Sequence, residues 1–540
     1  MSGGDVRFVS KTPGATSEEV RARYAAVATH THTVRSHQVD FDSMKTRLVS
    51  WCRQKGIRAI GLGSPWEPVS AATYGRCETT DRDRYYGGMI DPASVMDEAS
   101  IRGMIDELNA AAHGDTLFYL DNETPKGRYG HLWYFGFAYL YPAFHDYSQD
   151  RPCQYFDDDP AVEMNAVTGA PHRRRSTLEI LHEQRRHGAL GVWAHPTSWW
   201  WNDGEHKKGF VTNIASECVQ HLLIDGFLDG FVVVGYDACH RWYQRLWFHL
   251  LDTGAIVPGF AETDHALDSN NITKNHKEVL LNLVNVDGDV TTASITAAAR
   301  RGSVCMTSGP LITLSVDGVA MGGSVETDPA RTHRIVIRAY PAPGESGFSR
   351  LDLIGSGGEI MHSVERWEGG VIEYEMRGAD SHGYLVARGW GEHDDPGEPR
   401  QQAIRHMAIT NPVYLWPRGF TFSPLTTDVT LTFGSDSPWM GGTCEFLDPQ
   451  SQSISKNVIR AGEIRQTLPA NVQVRLTSTD GSEKSFHPAV ENAEVQKLLR
   501  YLYAGEFLDD HPGLSPGEVP PEAFRIGEMR EALARFARVL

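Results

Sequence analysis

Between about residues 20 and 306, short apolar runs alternate with stretches of helical spacing, and no other property of the 540-residue chain constrains its fold as tightly. Ala25–His32 reads as a strand, Phe41–Gln54 as a helix ending near Gly56, and Arg58–Gly63 as a strand again. Ser94–Ala112 has helical spacing, Thr116–Asp121 is strand-like, and His131–Ala138 is a further apolar run. The rhythm continues through helix Ser176–His187, strands Leu190–Ala194 and Gly230–Val234, helix Cys239–Thr253, strand Ile256–Phe260 and helix Thr291–Arg301. Gly188 and Gly302 stand where C-terminal helix caps belong. Strands interleaved with helices predict βα units, hence a parallel sheet or barrel.

After Gly309 the texture changes. ITLSVDG, HRIVIRAYP, SRLDLIGSGG and GVIEYEMRG are short, often alternating segments parted by Gly, Pro, Asp and Ser, which is the pattern of an antiparallel sandwich. A second β-rich region containing DVTLTFGS and VQVRLTSTDG runs to about residue 480, and helical stretches Ala493–Ala504 and Ala523–Val539 close the chain. The expected organisation is an α/β barrel over 1–309, a β-sandwich over 310–417, and a second β-rich region with C-terminal helices over 418–540.

An apolar fraction of 41% suffices for two or three cores and argues against disorder. The formal charge of −18 argues against a nucleic-acid partner, since replacing condensed counterions requires excess Lys and Arg. No apolar stretch approaches the roughly 20 residues that cross a bilayer, and MSGGDVRFVSKTPG lacks the apolar centre of a secretory signal, so no membrane association and a cytoplasmic location are expected. Seven scattered cysteines without a CxxC suggest neither a disulfide framework nor a thiolate zinc cluster.

The candidate chemistry sits where strands give way to polar segments. In a parallel barrel, side chains at the C-terminal ends of separate strands converge on one cup. His30 and His32 in ATHTHT are two apart, so on a regular strand both face one side and can enter one coordination sphere. Neutral imidazole suits zinc and similar borderline metals. His37, in the following loop, can add a ligand or contact substrate. Glu123 ends one strand and His131 opens the next across a short Gly-containing loop. A carboxylate there can bridge two ions. His195 follows an apolar strand and precedes Pro196, which ends regular pairing. Asp264 and His265 repeat the arrangement late in the region, and their adjacency leaves one, Asp264, as the ligand and the other, His265, as a proton carrier.

HTH near the start, NETPKGRYGHL, AHP and a late TDH resemble the metal motifs of the PHP superfamily of metal-dependent hydrolases. VVGYDACHRWYQRLWFHLLDTGAIVPGFAETDHA followed by RRGSVCMTSGPLITLSVDG is similar to its CehA/McbA arm, whose founding members cleave aryl carbamate esters. The likeness spans roughly residues 25 to 415; HxH is unspecific, whereas GHL, AHP and SGPL in this order are more telling. The resemblance implies a distorted (β/α)7 PHP-type barrel, His30 and His32 as first-motif ligands, Glu123 as a bridging carboxylate, and His131, His195 and Asp264 as later ligands. Two departures bear on whether two or three divalent ions, zinc, manganese or iron, are held. Where many PHP proteins have an Asp-His pair, this chain reads GLGSPWEP, leaving Glu67 as the ligand candidate; and Asp264 and His265 are adjacent where the superfamily's late motif often has them two apart.

Trp66, Trp133, Trp193 and the run Trp199–Trp201 crowd the same strand ends. Three successive tryptophans cannot all face inward, so Trp66, Trp199 and Trp200 are candidates to line a substrate mouth suited to an aromatic or apolar leaving group. Arg35 is the basic candidate beside it. The expectation is a metal-dependent hydrolase acting on the carbamate, ester or amide of a small molecule, with His265 or His37 as general acid. A PHP-type phosphoesterase and a non-catalytic binding or assembly protein on a degenerate barrel are the alternatives. The sandwich either covers the barrel or builds a subunit interface in a homo-oligomer.

Overall fold

The computed structural model describes residues 6–12, 20–32, 41–63, 98–123, 132–137, 162–164, 171–173, 187–194, 228–235, 240–252, 254–263, 265–266, 279–378, 382–394, 406–420, 426–447, 453–469 and 472–486. The predicted helices Ser176–His187, apart from His187 itself, Ala493–Ala504 and Ala523–Val539 lie outside them.

The α/β region runs β1 (Val6–Thr12), β2 (Tyr24–His32), α1 (Phe41–Lys55), β3 (Ala59–Gly63), α2 (Glu98–Ala112), β4 (Leu117–Glu123) and β5 (Leu132–Phe137). It continues with the small ladder β6 (Val162–Met164) and β7 (Pro171–Arg173), then β8 (Leu190–Trp193), β9 (Gly230–Val234), α3 (His240–Asp252), β10 (Gly259–Ala261), β11 (His265–Ala266), β12 (Leu281–Asn285), α4 (Thr292–Arg300) and β13 (Val304–Thr307). The apolar stripes that define the helices are buried against the sheet. Leu48 and Cys52 of α1 and Met104, Leu108 and Ala112 of α2, spaced by four, pack on Ile60, Leu62 and Phe118. Thr291 caps α4 through a reciprocal pair with Ser294, and Gly302 follows the helix at φ 72°.

The ladder order is β10-β9-β8-β5-β4-β3-β2-β12-β13. Pairs β2/β3, β3/β4, β8/β9 and β9/β10 are parallel, whereas β5 runs antiparallel to β4 and β8, and β12 antiparallel to β2. β11 then pairs parallel with β2, three residues after β10 ends the ladder at its other side. Buried amides complete this return. The Asn282 carboxamide accepts the Ala261 N–H and donates to Thr29 Oγ1 and the Ala261 carbonyl, while Asn411 pairs with the Gly259 N–H and carbonyl and donates to the Val304 carbonyl. A buried polar residue in a strand is expensive unless its donors and acceptors are matched, and both asparagines are matched across this seam.

Beyond β13 come β14 (Leu311–Val316), β15 (Val319–Ala320), β16 (Ser324–Thr327), β17 (Thr332–Tyr340), β18 (Phe348–Ile354), β19 (Ile360–Trp367), β20 (Gly370–Arg377), β21 (Gly383–Gly391), β22 (Met407–Thr410) and β23 (Val413–Pro417). One sheet has the order β1-β20-β17-β14-β15, so the first strand of the chain is an edge of the sandwich; the other, β22-β21-β18-β19, continues the α/β ladder through β13. Their inward faces share one core, including Leu314, Ile337, Leu351 and Tyr374. The last described region holds the ladder β24 (Thr426–Phe433) with β27 (Gly462–Pro469) and a sheet of β25 (Thr443–Leu447), β26 (Ser453–Val458), β28 (Gln473–Thr477) and β29 (Glu483–Phe486), around a separate core that includes Leu431, Phe446 and Val474.

Candidate metal centre

Strand direction places His32, Glu123 and the segment that begins at His265 on one edge. Since β2, β3, β4, β8 and β11 run the same way and β5 runs opposite, the C-terminal ends of the parallel strands and the N-terminal end of β5 lie together. His32 closes β2 and Glu123 closes β4. Backbone register sets His265 beside Thr31, Ala266 beside His32, His32 beside Gly63, Glu123 opposite Trp133, and Leu132 opposite Trp193. His131 directly precedes Leu132 and His195 follows Trp193 by two positions, but both, with Asp264, Glu67, His37, Arg35, Trp66, Trp199 and Trp200, lie outside the described residues. Of His32, Glu123 and His265, the backbone alone is described.

His30 is fully described, and its surroundings are built around it. The β2/β3 register passes from Ala28–Ile60 to Thr31–Leu62, so β2 carries one extra residue there, and His30 has φ 52°. A non-glycine residue at positive φ inside a strand marks a bulge that re-aims its side chain, a device that recurs beside active sites. The alternation that would put His30 and His32 on one face assumes a regular pleat, and the bulge interrupts it. The His30 N–H donates to Asp121 Oδ2 at 3.1 Å, and His30 Nδ1 lies 2.8 Å from Glu262 Oε2. Trp133 donates its indole N–H to Asp121 Oδ1, and its ring stacks on the His30 ring with centroids 6.0 Å apart and planes 11° from parallel. Asp121 and Glu262 are fully buried and His30 is 2% exposed.

Glycine makes this packing possible. A Cβ at Gly61 would stand 2.3 Å from Asp121 Oδ2, and one at Gly235 would stand 2.8 Å from Glu262 Oε1. Thr31 donates its hydroxyl to the Gly61 carbonyl and Thr29 to the Ala261 carbonyl, tying the bulge to β3 and to the end of β10. Burial, reinforced by the nearby Asp121 carboxylate, pushes the Tyr119 hydroxyl well above its ordinary range, so it stays protonated. Trp133 and Trp193 are both buried among aromatic neighbours, Trp133 against His30, Phe135 and Phe260 and Trp193 against Phe231.

Asp121 and Glu262 were not among the residues singled out from the sequence, although a signal was present. Each stands two positions before a carboxylate that was: Asp121-Asn122-Glu123 and Glu262-Thr263-Asp264 repeat the spacing of His30-Thr31-His32. Among the described residues no group of three or more His, Cys, Asp or Glu is spaced to hold a metal ion. The donor chemistry of His30 nevertheless fits one. With Nδ1–H donated to a buried carboxylate, the neutral ring carries its lone pair on Nε2, the arrangement in which histidine ligates metals.

No family model and no curated protein matches the chain. Among solved structures it is similar to PsfC from Pseudomonas syringae PB-5123, at 13% identity over 51% of this chain and 89% of that one, with a TM-score of 0.27. It is also similar to the lesion-specific endonuclease PfuEndoQ from Pyrococcus furiosus, at 14% identity over 51% of this chain and 56% of that one, TM-score 0.25. A Parabacteroides merdae β-glucuronidase aligns over 85% of this chain and 61% of its own at 9% identity, TM-score 0.19. The functional reading therefore rests on the chain's own residues.

Proposed function

We propose that the chain is a metal-dependent hydrolase on a distorted PHP-type barrel, cleaving a carbamate, ester or amide of a small molecule with an apolar or aromatic leaving group. The observation that carries the reading is the single strand edge to which His32, Glu123 and the His265 segment belong, with His30 held beneath it by buried carboxylates. The return of β11 to β2 and the Asn282 seam support the barrel. The PHP-like order of motifs supports the ligand set His30, His32, Glu67, Glu123, His131, His195 and Asp264.

A divalent ion held by these residues would supply Lewis acidity that lowers the pKa of water toward neutrality. The protein's part is to hold and orient. His30 presents a ring held by Glu262 and Trp133, and Trp66, Trp199, Trp200 and Arg35 are assigned to the substrate wall. His265 or His37 holds the proton that the departing alkoxide, amine or phenoxide takes up.

Zinc- or manganese-loaded protein is expected to hydrolyse an aryl methylcarbamate, to lose that activity to a chelator, and to leave 4-nitrophenyl phosphate largely intact. Glu123→Ala or His195→Ala should lower turnover by at least about 100-fold, the upper end for loss of even an outer-shell partner, with the far-ultraviolet circular dichroism retained. Preferred cleavage of the phosphate would replace this reading with a phosphoesterase, and metal-free, inactive protein after reconstitution would replace it with a binding module.

A further inference from the structure

We propose that Glu262 and Asp121 are positioning residues that pre-orient His30 for metal ligation and are not themselves ligands. The inference rests on the metal-hydrolase reading and deepens it. Four contacts converge on His30 and its immediate neighbours. Asp121 accepts the His30 N–H with Oδ2, holding the backbone at φ 52°, and its other oxygen is engaged by the Trp133 indole N–H. Glu262 engages Nδ1 at 2.8 Å, and the Trp133 ring lies nearly parallel to the imidazole with centroids 6.0 Å apart. An unfavourable backbone conformation persists only where its surroundings over-determine it, and here Asp121 holds the backbone while Glu262 and the Trp133 ring, itself bonded to Asp121, flank the imidazole.

The three i, i+2 pairs then divide into two tiers. His30, Asp121 and Glu262 form a buried tier in which both carboxylates meet His30, and His32, Glu123 and Asp264 stand two positions later in the sequence. Rotating the Asp121 carboxylate toward an ion would release the His30 backbone N–H or the Trp133 indole. Turning Glu262 Oε2 toward an ion would release His30 Nδ1. Either movement would undo the orientation that suits His30 to ligate, so these two carboxylates orient it. Carboxylates that fix the tautomer of a ligating histidine commonly govern metal affinity by 10–100-fold.

The test compares the full-length wild type, Glu262→Gln and His30→Gln for zinc and manganese affinity, by competition with a fluorescent chelator. It also follows ring-nitrogen NMR of 15N-histidine-labelled, metal-free protein. Expected are an Nδ1–H tautomer for His30 in the wild type, its loss in Glu262→Gln, and metal binding about 10–100-fold weaker in Glu262→Gln without loss of stoichiometry. Wild-type binding that is unchanged in Glu262→Gln overturns the positioning role and leaves the metal reading standing. Loss of an entire ion in Glu262→Gln, beyond the effect of His30→Gln, overturns it too, because Glu262 would then be a ligand. No metal binding by the wild type removes the underlying reading instead. Should Glu262→Gln fail to fold, the wild-type tautomer decides, and an Nε2–H ring overturns the proposal.

Discussion

Gly61→Val is expected to be among the most damaging single substitutions in the α/β region, lowering stability by about 3 kcal/mol or more, above the usual range for overpacking, and removing hydrolytic activity. The added Cβ would meet Asp121 at 2.3 Å from Oδ2, 2.6 Å from Cβ and 2.8 Å from Cγ. The nearest of these atoms belongs to a carboxylate that already holds the His30 N–H and the Trp133 indole, and the second is fixed to the β4 backbone. No rotamer change relieves a clash with a Cβ, so β3 and β4 must separate or Asp121 must abandon His30. Gly103 provides the control. It lies in α2 with nothing within 4 Å of a built Cβ, so Gly103→Ala should stabilise the protein by about 0.4–1 kcal/mol. Thermal or urea unfolding of both variants checks the pair, and a Gly61→Val protein of wild-type stability would contradict the close packing of Asp121 on β3.

Asp352→Ala is expected to lower stability by about 3–5 kcal/mol, because it leaves a buried arginine without its counterion. Asp352 is fully buried and bonded to Arg388 at 2.9 Å, Arg350 at 2.5 Å and Ser363 at 2.7 Å. Arg388 is 14% exposed, lies over the Trp390 ring at 5.0 Å, and donates to Gln244 of α3 at 2.9 Å. The network thereby fastens the sandwich sheet to a helix of the α/β region. Burial alone would push the Asp352 carboxyl upward, but the Arg388 charge and the bonds from Ser363, Arg388 and Arg350 outweigh it and hold it below the ordinary value of 3.8. A carboxyl depressed in the folded state contributes stability that is fully present above its unfolded pKa and is lost as pH falls through the folded one. The gap between wild type and Asp352→Ala should therefore be constant from neutrality down to about pH 5 and close only below the ordinary value. Denaturant midpoints measured across that range by tryptophan fluorescence check this, and a gap that closes near pH 7 would contradict it.

What the sequence made legible follows from burial. β3, β8 and β9 are apolar runs enclosed almost completely, and their predicted limits agree with the structure to within a residue or so. β1 was missed because an edge strand with most of its side chains exposed leaves no hydrophobic alternation to read. β12 was missed because Asn282 interrupts its apolar pattern, and only the cross-sheet partners of that amide show why it is tolerated. The antiparallel course of β5 against β4 is not encoded in any periodicity within β5 itself. At the site, HxH pointed to His30, but local spacing does not encode a bulge, and the positive φ that re-aims this residue depends on Asp121, 91 positions away. Asp121 and Glu262 were within reach of the alternation argument already applied to the histidines. Applied at the ends of β4 and β10, it would have paired each with the carboxylate two positions later.

The central claim is that one strand edge gathers imidazoles and carboxylates from distant parts of the chain around divalent cations. Anomalous diffraction from crystals of zinc- or manganese-loaded protein tests it most directly. Peaks are expected about 2.0–2.2 Å from His30 Nε2 and from oxygens of Glu123 and Asp264, with His195 in the same cluster. Peaks elsewhere, or Glu123 more than about 10 Å from His30, His195 and Asp264, beyond the span of a shared ion, would contradict it.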